Sequence, residues 1–145
     1  MRVFNVIEEG RVGGPQLRIL QVTNHLKAYG VYTTVVIPKN NSNDFQIRLS
    51  ESSISFITTP LTTLRKNFKS ILIYTFKFFP ELFLLFKLFR KLKPNLVHIS
   101  GGSWQIKGLL AGRLAGLKVI WHLNDTKAPK SLKFIFGMLQ TQAHA

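Results

Sequence analysis

Val3-Phe4-Asn5-Val6-Ile7, then Gly13-Gly14-Pro15, then a helical run over residues 16–29, is the stretch on which the fold turns. A short apolar strand that empties into a double-glycine loop and restarts as a helix is how open α/β sheets build a cleft for a phosphate or a sugar. The same alternation continues outward. Leu17, Leu20, Val22, Leu26 and Tyr29 fall near one apolar helix face, and Gly30 ends that helix as a left-handed cap. Residues 31–37, with Val35-Val36-Ile37 before Pro38, read as a strand buried on both faces. Residues 39–53, rich in Asn and Ser, read as a surface loop with room for a short helix, and residues 54–57 as a third strand.

Residues 61–93 have helical character, and Pro80, which lacks an amide proton, suits the first turn of a second helix better than the interior of one. Pro94-Asn95 announces a fourth strand over residues 96–99. Ser103 is placed to cap a helix that Gly116 stops, residues 117–122 form a fifth strand, and residues 130–141 a last helix. Strand-helix alternation of this kind predicts an α/β fold: a Rossmann-like parallel sheet with right-handed crossovers and helices on both faces. In the strand order 3-2-1-4-5 the first and fourth strands meet at the switch point, so Gly13-Gly14, Gly101-Gly102 and His122 are expected to converge on one crevice.

The chain has 145 residues and 46% hydrophobic content, enough for one domain with a core and too little for two catalytic domains. Its 20 Lys and Arg against 6 Asp and Glu give a formal charge of +14, which favours anionic partners. Half of that excess lies between Leu64 and Lys93, where eight basic residues are opposed by Glu81 alone. The absence of cysteine excludes disulfides, thiolate nucleophiles and cysteine-held zinc. No cleavable signal or spanning helix is read, because Val3 to Ile7 is short and runs into Glu8-Glu9, while Lys69 and Lys77 interrupt the longest apolar stretch.

Several side chains could carry chemistry. Gly13 and Gly14 permit positive φ and let a ligand approach backbone amides at a helix start; without a Walker loop or a full G-x-G-x-x-G pattern, P-loop NTPases and ordinary dinucleotide dehydrogenases are disfavoured. His122 ends a strand, where an imidazole can reach sugar hydroxyls or phosphate, whereas His98 sits within an apolar strand and reads as packed. Asp125 is a carboxylate near the crevice, and Glu8 and Glu9 read as surface residues. Lys87, Arg90 and Lys91 share one helix face among phenylalanines, a pattern suited to an interfacial helix on anionic lipid; a solvated core helix is the second reading and single-stranded nucleic acid the third.

The first strand with its Gly13-Gly14-Pro15 loop, Lys93-Pro94-Asn95-Leu96-Val97-His98, and Val119-Ile120-Trp121-His122-Leu123-Asn124-Asp125 together resemble the amino-terminal domain of family 4 glycosyltransferases of the GT-B type. The resemblance implies two facing Rossmann-like domains, the first binding the acceptor and the second, carrying a pair of glutamates eight positions apart, binding the nucleotide sugar. It implies Gly13 and Gly14 near the donor phosphates and His122 near the transferred sugar. With the loops expected at the crevice, this makes His122 the expected catalytic residue and Gly13, Gly14, Gly101, Gly102 and Asp125 the expected substrate-binding residues, with no cofactor or metal. Gln16 stands where the family often has an acid, and Asn95 where it has Asp. Residues 1–145 are then expected to be an incomplete amino-terminal domain without its donor-binding partner domain, inactive alone. The other readings are a noncatalytic, acceptor-binding and membrane-recruiting subunit of a split transferase, or an inactive gene fragment. The expected partners are a nucleotide-sugar donor met through the missing domain, a sugar or lipid-linked acceptor and an anionic membrane surface, without nucleic acid; the expected location is the cytoplasm, peripheral on the inner membrane face.

Overall fold

The computed structural model describes residues 1–65, 67–102 and 104–123. Five strands and four helices alternate over them: β1 (Arg2–Val6), α1 (Gly14–Lys27), β2 (Tyr32–Pro38), α2 (Asn43–Glu51), β3 (Phe56–Thr59), α3 (Phe68–Leu92), β4 (Leu96–Gly101), α4 (Ile106–Leu114) and β5 (Lys118–Leu123). The strands form one parallel sheet in the order β3-β2-β1-β4-β5, as the alternation predicts. The order reverses between β1 and β4, whose carboxyl ends open the crevice.

Because side chains alternate across a strand, the sheet carries a core on each face. Phe4, Val6, Val97, Ile99 and Val119 point to the face covered by α3 and α4, where Leu85, Phe89 and Leu109 complete one cluster. Ile7, Val35 and Ile37 point the other way, against Ile19 of α1 and Phe45 and Leu49 of α2. On the first face α4 lies unusually close: a Cβ on Gly108 would stand 2.7 Å from Ile99 Cδ1, and one on Gly112 would stand 2.8 Å from Val119 Cγ2.

Three local expectations are corrected and one is filled in. The sheet-facing stripe of α1 is Gln16, Ile19 and Thr23, and Leu17, Val22 and Tyr29 are exposed; Gln16 docks by donating Nε2–H to the Glu9 carbonyl at 2.7 Å, so a polar contact fixes the rotation of the helix. The third strand lies two residues later than its apolar run suggests, because it pairs alongside Val35–Pro38 and ends at Thr59. Residues 39–53 contain the full two-turn helix α2. Residues 68–92 form one helix rather than two, with Pro80 inside it. Tyr74, Glu81, Leu85 and Phe89 make one buried stripe across the proline, and Pro80 itself lies on the exposed side of the helix. The helix starts where Asn67 Oδ1 accepts the Ser70 amide at 2.7 Å. Ser103 and the helix expected over residues 130–141 lie outside the described residues.

Candidate functional site

At the carboxyl ends of β1 and β4, Gly13, Gly101 and Gly102 line a hollow of about 450 Å³ with Glu9, Arg11 and Gln16. Gly13 caps α1 with extended backbone and no side-chain hydrogen bond, which leaves the first-turn amides without a protein cap. Neither Gly13 nor Gly14 adopts the positive φ that their sequence suggested. An added Cβ would meet only ordinary contact at Gly13 and nothing within 4 Å at Gly14, so their smallness serves open space rather than the turn. Gly101 differs: its φ of +143° favours glycine, and Gln105 occupies the space where its side chain would be. That glutamine accepts the Glu8 amide through Oε1 at 2.8 Å, tying the β4 loop to the β1 loop. On the rim Arg11 grips Glu9 with Nε and Nη2 at 3.1 and 3.2 Å. Partial burial pushes the Glu9 carboxyl up, but the hydrogen bonds and charge of Arg11 outweigh it and hold the group below the usual carboxylate range.

His122 lies elsewhere. It lines a second hollow, of about 230 Å³, between α1 and the sheet, with His98, Asn5, Ser100 and Arg18. The consecutive residues Ser100 and Gly101 line the two hollows in turn. The register explains the cluster, because Asn5 pairs with His98 and Ser100 with His122. The two imidazoles stand edge to face at 6.1 Å, Asn5 Nδ2 lies 3.0 Å from His98 Nδ1, and His122 Nε2 meets Arg18 Nη1. Burial, then His122 and Arg18, push His98 down to about 4. Burial and Arg18 also hold His122 below the ordinary imidazole value, so both rings are neutral at pH 7. The expectation of one crevice is corrected to two hollows, and His98 is as much part of the second as His122. Asp125 lies outside the described residues.

Sequence reading missed the most heavily charged cluster altogether. Glu8, expected at the surface, is buried, and so are Glu81 and Lys107. Lys107 Nζ stands 3.1 Å from Glu8 Oε2 and 2.6 Å from Glu81 Oε2, donates to the Thr62 carbonyl, and lies 4.0 Å over the Tyr74 ring. Thr62 donates its amide and hydroxyl to Glu81, and Tyr74 donates to the Trp104 carbonyl. Burial pushes Glu8 up to about 7 against the pull of Lys107, and burial with the neighbouring Glu8 pushes the Tyr74 phenol up as well. The available signal was Glu81, a lone acid in a basic helix at the position that continues the Tyr74-Leu85-Phe89 stripe.

Lys87, Arg90 and Lys91 are exposed at the carboxyl end of α3. Toward the other end Phe68, Leu72, Phe76, Phe79 and Phe83 are exposed at spacings of three and four, with Phe76 and Phe79 each 75% accessible. Lys87 Nζ sits 4.6 Å over the Phe83 ring, where the apolar stripe passes into the basic one. Among the described residues no helix is long and apolar enough to cross a membrane.

Neither a protein-family model nor a curated protein matches the chain. Solved structures do. MurG from Acinetobacter baumannii is 21% identical with a TM-score of 0.70, over 98% of this chain and 39% of its own. Anabaena Alr3699/HepE in complex with UDP and glucose is 14% identical with a TM-score of 0.71, over 99% of this chain and 36% of its own. A UDP-N-acetylglucosamine 2-epimerase is 18% identical with a TM-score of 0.63, over 99% and 40%. The chain therefore spans about two-fifths of the length of these structures, and its five-stranded parallel sheet has the Rossmann-like fold of one half of a GT-B architecture.

Proposed function

We propose that this chain is the amino-terminal, acceptor-side part of a glycosyltransferase that moves a sugar from a nucleotide-sugar donor to a sugar or lipid-linked acceptor. The observation that carries the reading is the crevice at the switch point, where Gly13, Gly101 and Gly102 leave backbone open beside the start of α1. In this reading Gly13, Gly14, Gly101, Gly102 and Asp125 bind substrate. His122, neutral and held by Arg18, presents its imidazole beside the crevice as the catalytic side chain. Departure of a diphosphate needs positive potential in a dry site, and the uncapped start of α1 supplies it from this side. The donor itself is held by a second domain.

The acceptor-binding, membrane-recruiting subunit of a split transferase is the second reading, favoured by the exposed phenylalanine stripe of α3 and by Lys87, Arg90 and Lys91 beyond it. Both readings assign acceptor binding to this chain. Titration of the ¹⁵N-labelled chain with an acceptor panel of oligosaccharides and short-chain prenyl-phosphate sugars tests it. The Gly101 and Gly102 amides should shift saturably with a member of the panel and stay still with UDP alone. A saturable response to UDP alone, or none to any acceptor, overturns the assignment.

A further inference from the structure

Among the described residues, three polar atoms around the His122 hollow are buried without a hydrogen-bond partner: Asn5 Oδ1, Ser100 Oγ and Arg18 Nη2. Asn5 is 5% exposed and Ser100 0%. Leaving one such group unpaired costs about 1–3 kcal/mol, so three at one hollow mark a place built to be filled by something polar. The charge balance says what. Among the described residues no Asp or Glu lines the hollow, and Arg18 has as its partner there the neutral His122, which compensates none of its charge. The remaining groups can supply donors. Ser100 can turn its hydroxyl, His122 accepts from Arg18 at Nε2 and so carries its N–H at Nδ1, and half a turn of the Asn5 amide lets Oδ1 accept the one N–H of His98 at Nδ1 and leaves Asn5 Nδ2 as the free donor of that pair. A guanidinium with a free N–H, a hydroxyl, an amide and one imidazole N–H around about 230 Å³ are recognition groups for a tetrahedral oxyanion.

We propose that the hollow between α1 and strands β1, β4 and β5 is a binding site for a phosphate group, separate from the glycine crevice and independent of whether the chain serves sugar transfer. The phosphate is either the free ion or the phosphoryl group of a small sugar phosphate. Apolar walls from Val22 and Leu26 limit the site to a small ligand at its inner end.

The test follows the imidazole resonances of the histidines in the full chain as inorganic phosphate replaces chloride at constant ionic strength. The His98 and His122 signals should move saturably, with His25, at the exposed side of α1, unmoved as the internal control. Arg18→Gln removes a charged hydrogen bond and should weaken the apparent Kd by about tenfold or more. Ser100→Ala, a smaller change, should weaken it by about threefold to tenfold and serves should Arg18→Gln not fold. A hexose phosphate that binds more tightly than inorganic phosphate identifies the ligand as a sugar phosphate, and one that binds more weakly identifies it as the free ion. Movement that never saturates, equal movement of His25, or undiminished binding in the folded variants overturns the site. Because the inorganic phosphate titration contains no sugar, its result is read separately from the response of the glycine amides.

Discussion

Replacing Glu8 by Gln keeps the shape and an oxygen for Lys107 while removing a buried carboxyl whose pKa is pushed up to about 7 by burial. In the unfolded chain that carboxyl titrates near 4.5. Below 4.5 it is protonated in both states and costs nothing; as pH rises toward 7 the unfolded chain gives up the proton first, and the folded state loses stability relative to it. At about 1.4 kcal/mol per pH unit the interval is worth about 3 kcal/mol, a large share of the total for a domain of this size. His98 works in the opposite direction. Its imidazole is pushed down to about 4 from an ordinary 6.5, so its contribution is present above 6.5 and is lost as pH falls toward 4. In the wild type the two nearly cancel between pH 4.5 and 6.5, and the stability profile there should be shallow.

Glu8→Gln removes one side of that balance. Urea unfolding followed by the fluorescence of Trp104 and Trp121 at several pH values gives both curves. The variant should lose stability on acidification where the wild type does not, and the difference between them should grow in the variant's favour by about 3 kcal/mol from pH 4.5 to 7, then stay level. His98 contributes equally to both proteins and drops out of the difference. A difference that changes by less than about 1 kcal/mol across that range would refute the argument that the buried carboxyl sets it.

Gly108→Ala should destabilise by about 1–3 kcal/mol in urea unfolding because its Cβ has no room against Ile99 and Val6, whereas Gly14→Ala, with open space around it, should leave the midpoint unchanged. Residues 1–145 alone should show no sugar transfer from UDP-sugars in a radiolabel assay; robust turnover by the pure chain would overturn the one-sided crevice. In an enzyme completed by a donor-binding domain, His122→Ala should lower kcat more than His98→Ala, and full activity of folded His122→Ala would remove the catalytic assignment. Changing Lys87, Arg90 and Lys91 together to Gln should cut co-sedimentation with anionic vesicles by about two orders of magnitude, at about 1 kcal/mol for each charge. Equal binding to neutral vesicles would return α3 to a solvated helix.

Strand order was legible because β-branched runs bounded by Gly and Pro carry a local signal, and parallel crossovers leave few ways to arrange them. Helix rotation was not. The buried stripe of α1 is Gln16, Ile19 and Thr23, two of them polar, and only the acceptor waiting at the Glu9 carbonyl makes burial of Gln16 favourable. Pro80 misled for a related reason, since a propensity rule about one residue is overridden when packing on both sides of it lies along one stripe. His98 and His122 as neighbours could be read from strand order alone, but Arg18 could not join them until the rotation of α1 was known. Glu8 and Lys107 stayed hidden because ninety-nine positions separate them and neither has a local pattern.

Strand β4 divides its labour by face, and the division follows from the alternation of its side chains. Val97 and Ile99 point into the α3 and α4 side, where Gly108 and Gly112 let the helix settle directly on aliphatic side chains. His98 and Ser100, the residues between and after them, point to the α1 side and meet Asn5, Arg18 and His122. The first face is close-packed and apolar, so a change of one methyl there is felt in stability. On the other face, beside β4, lie unpaired polar groups and open volume, so the fold forgoes packing energy at that spot while α1 and α2 cover an apolar core farther along the sheet. One strand therefore separates the residues that hold the domain together from those available to a ligand. Changes at His98 or Ser100 can then retune binding without dismantling the core that Val97 and Ile99 support.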